Sequence, residues 1–237
     1  MASLSDVYSV YTKKPLNFWY PLLAFLAFSL IGLLFLLFIY MNIARFFELA
    51  NINIYYVLAF FSIIGLYIVS GFKGAMIRGF AYAYKTSERF DTWQFFNYAS
   101  SNNMKFFIIY FVKVLINVAI IVSAYILLIN QQTLIQIIGA FVIALILFII
   151  NYLLHFSAIA IVLYENIGAL RALKASIIVA LTNVFYLIGP YILYLIALGT
   201  FIIPLINIFT LFIFYPVVEI YVVEKLRKLD VKIARSL

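Results

Sequence analysis

Four polar side chains stand inside runs made otherwise of Ile, Leu, Val, Phe and Ala. Lys113 and Asn117 are four residues apart, and so are Asn151 and His155. At helical periodicity each pair falls on one face of its segment. Ionisable groups inside a spanning helix are expensive and mark ion routes, substrate routes and proton relays by default. A polar pathway lined by Lys113, Asn117, Asn151 and His155 is therefore the sharpest chemistry on offer. A structural role competes with it. Lys113 lies about 12 Å of helix rise from Lys105, close enough for its ammonium group to snorkel in that direction. Buried amides in spans commonly act as interhelical hydrogen-bond partners, contributing around 0.6 kcal/mol.

Other chemistries lack their parts. One histidine and no cysteine exclude an HExxH site, a multi-His/Cys zinc site and a cysteine nucleophile, and also disulfides and S-palmitoylation. No GxSxG, GxxxxGK[ST] or GxGxxG run occurs. The 8 Asp and Glu residues are scattered, which forms neither a di-acid pair nor a carboxylate metal cage. The expectation is a non-enzymatic chain with no cofactor and no metal. Glu165, Glu219 and Glu224 fall near the expected inner boundary, where Arg171, Lys174 or Lys225 would pair with them. Arg45 and Glu48 form an exposed i, i+3 pair in an outer loop.

The elements that must position these residues follow from composition. The chain has 237 residues, of which 68% are hydrophobic and 10% charged, with a mean hydropathy of +1.18. A soluble domain is about half apolar and a quarter charged, so the expected class is all-α, a polytopic transmembrane helical bundle. Residues 1–18 have no apolar core directly after their start and are not expected to be a signal peptide. Six runs meet the ~20-residue length of a spanning helix: 21–41, 54–72, 106–129, 134–164, 184–203 and 205–223. The first would open with Pro21 in its tolerated first turn, and the second can continue toward Tyr84. The fourth is long enough to tilt or project. Gly189-Pro190 and Pro216 are positions for kinks.

Sixteen Lys and Arg against 8 Asp and Glu give a net charge of +8. In this six-span frame all but two of the basic residues collect on one face. They are Lys13 and Lys14, then Lys73, Arg78, Lys85, Arg89 and Lys105, then Arg171 and Lys174, then Lys225, Arg227, Lys228, Lys232 and Arg235. Arg45 alone falls on the other face, and Lys113 lies within the third span. The positive-inside rule then puts both termini on the cytoplasmic side of the plasma membrane. The excess charge is topological and attractive to anionic lipid, so no nucleic-acid partner is expected.

Three stretches read as interfacial helices: 91–102, 168–181 and 222–235. In the first, Asp91 and Gln94 make a capping-box pattern, followed by the aromatic residues Trp93, Phe95, Phe96 and Tyr98. In the second, Ala169, Ala172, Ala175 and Ser176 form a small face suited to close helix approach. In the third, Val222, Leu226, Leu229 and Ile233 form a stripe among basic residues, as on a helix lying on the inner leaflet. Arg171, Lys174, Lys225, Arg227 and Lys228 are the candidate contacts to lipid headgroups. The first two interfacial stretches each precede a restart into the bilayer, at Asn102-Asn103 and at Thr182-Asn183. A duplicated hairpin unit and generic loop composition both account for that echo.

The stretch Glu165 to Gly189 has an acidic residue at the end of a span, then Ala-Leu-Arg-Ala-Leu-Lys-Ala-Ser176, then Asn183 and an aromatic-aliphatic run. It resembles the YciC-like membrane proteins and the membrane domain attached to some glycerophosphodiesterases, and Gly71 to Asn97 is loosely similar to their earlier half. The resemblance covers about 25 residues clearly. It implies six spans with interfacial helices before the later ones; the soluble phosphodiesterase domain is absent, so its hydrolytic activity is not carried over. The functional expectation is a lipid-interacting or assembly subunit of a membrane complex, with a membrane-protein partner or a homo-oligomer. The alternative is a small transporter or channel using the polar pathway between spans three and four.

Overall fold

The computed structural model describes residues 3–49, 53–86, 88–164, 166–200, 207 and 209–229, the side chains of 44–49 and 54 excepted. The expected Arg45–Glu48 pair, Glu165 and the tail beyond 229, with Ile233, lie outside the described side chains. Among the described residues every regular element is helical. In chain order they are α1 (Leu4–Lys13), α2 (Pro15–Leu49), α3 (Ile54–Thr86), α4 (Thr92–Leu128), α5 (Thr133–His155), α6 (Ser157–Leu163), α7 (Ala169–Thr182), α8 (Val184–Gly199), a π-helical turn (Thr210–Phe214) and α9 (Tyr215–Lys228).

Four stretches are long and apolar enough to cross a membrane: Pro15–Ile43, Tyr55–Thr86, Thr92–Leu128 and Thr133–Leu163. A fifth is added if α7 and α8, bent by 111° at Asn183, count as one broken span. The chain is an integral membrane protein by this measure. Residues 201–206 and 208, which carry the end of the fifth expected span and the start of the sixth, lie outside the described set.

Several helices run further than their expected apolar windows, for local reasons. Helix α2 starts at Pro15, whose fixed φ and missing N–H suit a first helical position, so Pro21 sits inside the helix instead of opening it. The expected separate interfacial helix at 91–102 is the first third of α4. Asp91 does form the capping box, accepting from the Gln94 backbone N–H at 2.7 Å while Gln94 Oε1 accepts from the Asp91 N–H at 3.1 Å. No Gly or Pro then interrupts the helix before Leu128, and Asn102 folds its amide back onto the Tyr98 carbonyl. The result is roughly 55 Å of continuous helix. Its expected membrane-surface aromatics divide. Trp93 is 79% exposed, whereas Phe95 is fully buried, stacked on Phe72 with ring centroids 6.0 Å apart.

The fourth expected span is α5 and α6 together. The backbone bends at Phe156, where the Ser157 hydroxyl donates to the Leu154 carbonyl at 2.6 Å. Helix α7 turns its small face, Ala172, Ala175, Ser176 and Ala180, onto α4, α5 and α6. Ser176 Oγ donates to the Leu153 carbonyl at 2.5 Å, and Tyr152 Oη donates to the Ala180 carbonyl at 3.1 Å.

The packed core lies toward one end of the bundle, the end that bears the basic loops. Val7 and Tyr11 of α1, Phe18 and Leu22 of α2, Ala75 to Ala83 of α3, Phe95 to Ile109 of α4, all of α6 and most of α7 and α9 contribute to it. Helices approach each other closely at several glycines. A Cβ on Gly79 would lie 2.5 Å from Pro21 Cβ, and one on Gly74 would collide with the buried Phe106 ring. Toward the other end, the two hairpins α2–α3 and α4–α5 expose Leu, Ile and Phe all round, as suits helices surrounded by lipid.

The last described helix corrects an expectation. The stretch from Val222 was read as amphipathic and surface-lying, but α9 is enclosed by α1, α2, α3, α6 and α8. Val218, Ile220, Val222 and Val223 are all fully buried, so neither side of this part of the helix is free to rest on a leaflet.

Pro216 sits at the start of α9 and cannot donate to Phe212, the carbonyl four residues back. The π-helical turn before it bonds the Tyr215 N–H to the Thr210 carbonyl instead. The orphaned Phe212 carbonyl is taken by two side chains from the N-terminal region. Tyr11 Oη donates to it, and Trp19 Nε1 donates to it at 2.9 Å while also reaching Tyr11 Oη at 2.5 Å. Burial pushes the Tyr11 phenol above its ordinary pKa, which keeps it a donor. The combined Tyr11→Phe, Trp19→Phe variant should therefore lose about 1–3 kcal/mol, the cost of an unsatisfied buried carbonyl. Each single variant should lose less. Adding Pro216→Ala, which restores an N–H, should recover part of the loss; thermal unfolding in detergent would show an unchanged deficit if this account is wrong.

Candidate functional site

Helices α4 and α5 are antiparallel neighbours joined by a tight turn at Ile129–Gln132, in which Gln131 N–H donates to the Leu128 carbonyl. Antiparallel pairing places residue 117 across from 151 and residue 113 across from 155. The four sequence-identified side chains thus form two rungs of one interhelical ladder.

The rungs do different things. Asn117 Nδ2 donates to Asn151 Oδ1 at 3.1 Å, and Asn151 Nδ2 donates back to Asn117 Oδ1 at 2.9 Å. Asn151 Nδ2 also donates to the Leu147 carbonyl of its own helix at 2.8 Å. Most of the capacity of this pair is spent on closing itself, the arrangement of a staple. His155 instead packs on rings from another helix, and Lys113 lies over a ring that a lysine from another helix also faces.

The Lys113 Nζ lies 5.5 Å from the centroid of the Tyr110 ring, and the Nζ of Lys73 from α3 lies 4.9 Å from the same centroid. Glu219 of α9 is 2% exposed, and its Oε2 has no hydrogen-bond partner among the described residues. It lies within electrostatic reach of the Lys73 and Lys113 ammonium groups. The His155 ring packs 4.3 Å from the Tyr194 ring and 5.1 Å from that of Tyr191, both on α8. His155 Nε2 is buried, again with no hydrogen-bond partner, and the ring senses the charges of Lys113 and Lys73. Five helices, α3, α4, α5, α8 and α9, thus bring two ammonium groups, a carboxylate, an imidazole and several phenols into one cluster.

The local sequence explains the convergence. Lys73 is flanked by Gly71 and Gly74, where α3 meets α4 closely enough that an added Cβ would strike Asn103 or Phe106. Glu219 follows Pro216 by one turn of α9. Two members were not singled out by sequence reasoning: Lys73 was counted among the basic residues of one face, just past the second span, and Glu219 was given a boundary ion pair with Arg171, Lys174 or Lys225. The available signal was a lone carboxylate inside Pro216-Val-Val-Glu-Ile-Tyr-Val-Val223. Tyr110 and Tyr194 carried no signal in a chain with 19 tyrosines.

The candidate lipid contacts also divide. Arg171, Lys174 and Lys228 are exposed. Arg227 pairs with Glu224 at 2.5 Å, and Lys225 lies over the Tyr186 ring at 4.2 Å. Glu224 therefore finds its partner one turn along α9, not among the residues expected. No family model matches the chain, and neither do curated proteins or solved structures.

The amide pair makes its own prediction. A double-mutant cycle on Asn117→Leu and Asn151→Leu should give a coupling of about 0.6–1.7 kcal/mol, with the double variant folding normally. A coupling near zero in reversible unfolding would mean that the two amides do not act as a staple.

Proposed function

We propose that the chain is a non-enzymatic, six-span protein of the plasma membrane that moves a small solute or ion through its interior cluster. The spans would be those read from the sequence, with 184–203 and 205–223 as the fifth and sixth and both termini cytoplasmic. The observation that carries the reading is the convergence of Lys73, Lys113, His155 and Glu219 from four helices, with Glu219 Oε2 and His155 Nε2 both lacking hydrogen-bond partners among the described residues. Ionisable groups inside a spanning bundle are costly to stability, and structural stapling is already supplied by Asn117 and Asn151. A charged cluster that does not serve as a staple is best explained by traffic through it.

The pathway so proposed differs from the one drawn from spans three and four alone. Lys113 and His155 belong to it, Asn117 and Asn151 flank it, and Lys73 and Glu219 extend it. Reconstituted vesicles with an internal pH dye and a potassium diffusion potential provide the test. Lys113→Leu and His155→Leu should each lower flux at least about tenfold while leaving the detergent-purified protein folded. Flux that survives both substitutions would exclude this route.

A second reading, a lipid-contacting or assembly subunit, is favoured by one observation: Arg171 and Lys174 are exposed on α7, opposite its buried small face. Basic groups near an anionic leaflet contribute about 1 kcal/mol each. Arg171→Ala with Lys174→Ala should therefore reduce co-purifying anionic lipid roughly tenfold or more, read by native mass spectrometry. Unchanged lipid retention would remove this support. The likeness of Glu165–Gly189 to YciC-like proteins is compatible with either reading.

A further inference from the structure

We propose that the interior cluster is a binding site for one small monovalent anion of halide or nitrate type. This deepens the transport reading, and it rests on the same cluster. The argument begins with charge. Lys113 feels two other charges among the described residues, Lys73 and Glu219, and Glu219 feels Lys73 and Lys113. Two ammonium groups therefore share a single carboxylate. An uncompensated charge in an apolar interior is strongly unfavourable, and one bound monovalent anion makes the balance two against two.

Geometry supplies the place. Both ammonium groups lie over the ring of Tyr110, so they border one region of the bundle and do not point to opposite surfaces. Lys73, Lys113 and His155 are half-buried whereas Glu219 is sealed. His155 Nε2 is buried with no hydrogen-bond partner among the described residues, and antiparallel pairing sets residue 155 across from residue 113. In the tautomer that protonates Nε2, it donates a hydrogen bond that an anion would accept.

The charge arrangement gives substitutions of opposite sign, which a general salt effect would not. At constant ionic strength, the thermal unfolding midpoint of the detergent-purified protein should rise with chloride or nitrate and saturate. Gluconate, too large, and sulfate, which would over-neutralise the site, should give no such rise. Stabilisation by mass action reports the affinity. Lys113→Met should abolish the anion dependence, and Glu219→Gln should strengthen apparent affinity by about tenfold, since it removes a like charge nearby. Anion dependence that persists in a Lys73→Met, Lys113→Met variant, or that weakens in Glu219→Gln, overturns the proposal.

Should the lysine variants fail to fold, the wild-type protein alone decides. Chloride-35 line broadening beyond that of empty micelles, displaced by nitrate, supports the site; its absence overturns it. The vesicle assay separates the two claims. Proton flux that ignores the anion present leaves transport standing and this site refuted. Saturable anion binding without flux does the reverse.

Discussion

Burying a carboxylate in a bundle that is 68% hydrophobic is the constraint around which the other helices are arranged. Glu219 is removed from solvent and its Oε2 accepts no hydrogen bond among the described residues, so the cations near it offset the cost of burying it. Those cations come from α3 and α4, and α3 packs on both α4 and α9. The approach of α3 to α4 is what Gly71 and Gly74 allow. A side chain at either position would separate α3 from α4 and leave the lysines further from the carboxylate. Helix packing, glycine placement and the electrostatics of the cluster are one requirement seen at three scales.

The two ends of the bundle answer to different solvents. At the end with the basic loops, α1, α6, α7 and α9 bring alanine, serine and valine into contact, and hydroxyl groups such as those of Ser157, Ser176 and Tyr152 spend their donors on backbone carbonyls. Small residues and satisfied polar groups are the means by which helices associate where apolar burial offers little drive. At the other end the hairpins keep large apolar side chains facing outward. In water that surface would be untenable for a folded monomer; in hydrocarbon it costs nothing, and two-helix contacts suffice.

The sequence was a good guide where a single local property decided the outcome. Length and hydropathy located α2 to α5, and the Asp91–Gln94 capping box forms as the spacing implies. The four-residue spacing of Lys113–Asn117 and Asn151–His155 identified two faces that do meet. It was a poor guide where two local properties competed. Charge at the tail suggested a surface helix, yet the buried valines of α9 prevail because α1 and α8 cover them. The aromatic stretch after Asp91 reads as a membrane-surface element, yet the absence of any helix breaker merges it with the following span. Long-range partners such as Lys73 and Glu219, separated by most of the chain, left no mark on periodicity at all.

The π-helical turn links these levels. Pro216 deprives Phe212 of its helical donor, and the chain responds by widening the turn and borrowing donors from Tyr11 and Trp19. Those donors belong to α1 and to the foot of α2, far from Glu219 in sequence but joined to its helix by one carbonyl. A proline kink with free choice of angle would leave the carboxylate, one turn further on, without a fixed position relative to Lys73 and Lys113. Two side-chain donors on a single carbonyl restrict that choice. The N-terminal helix thereby helps determine where the buried Glu219 carboxylate is held.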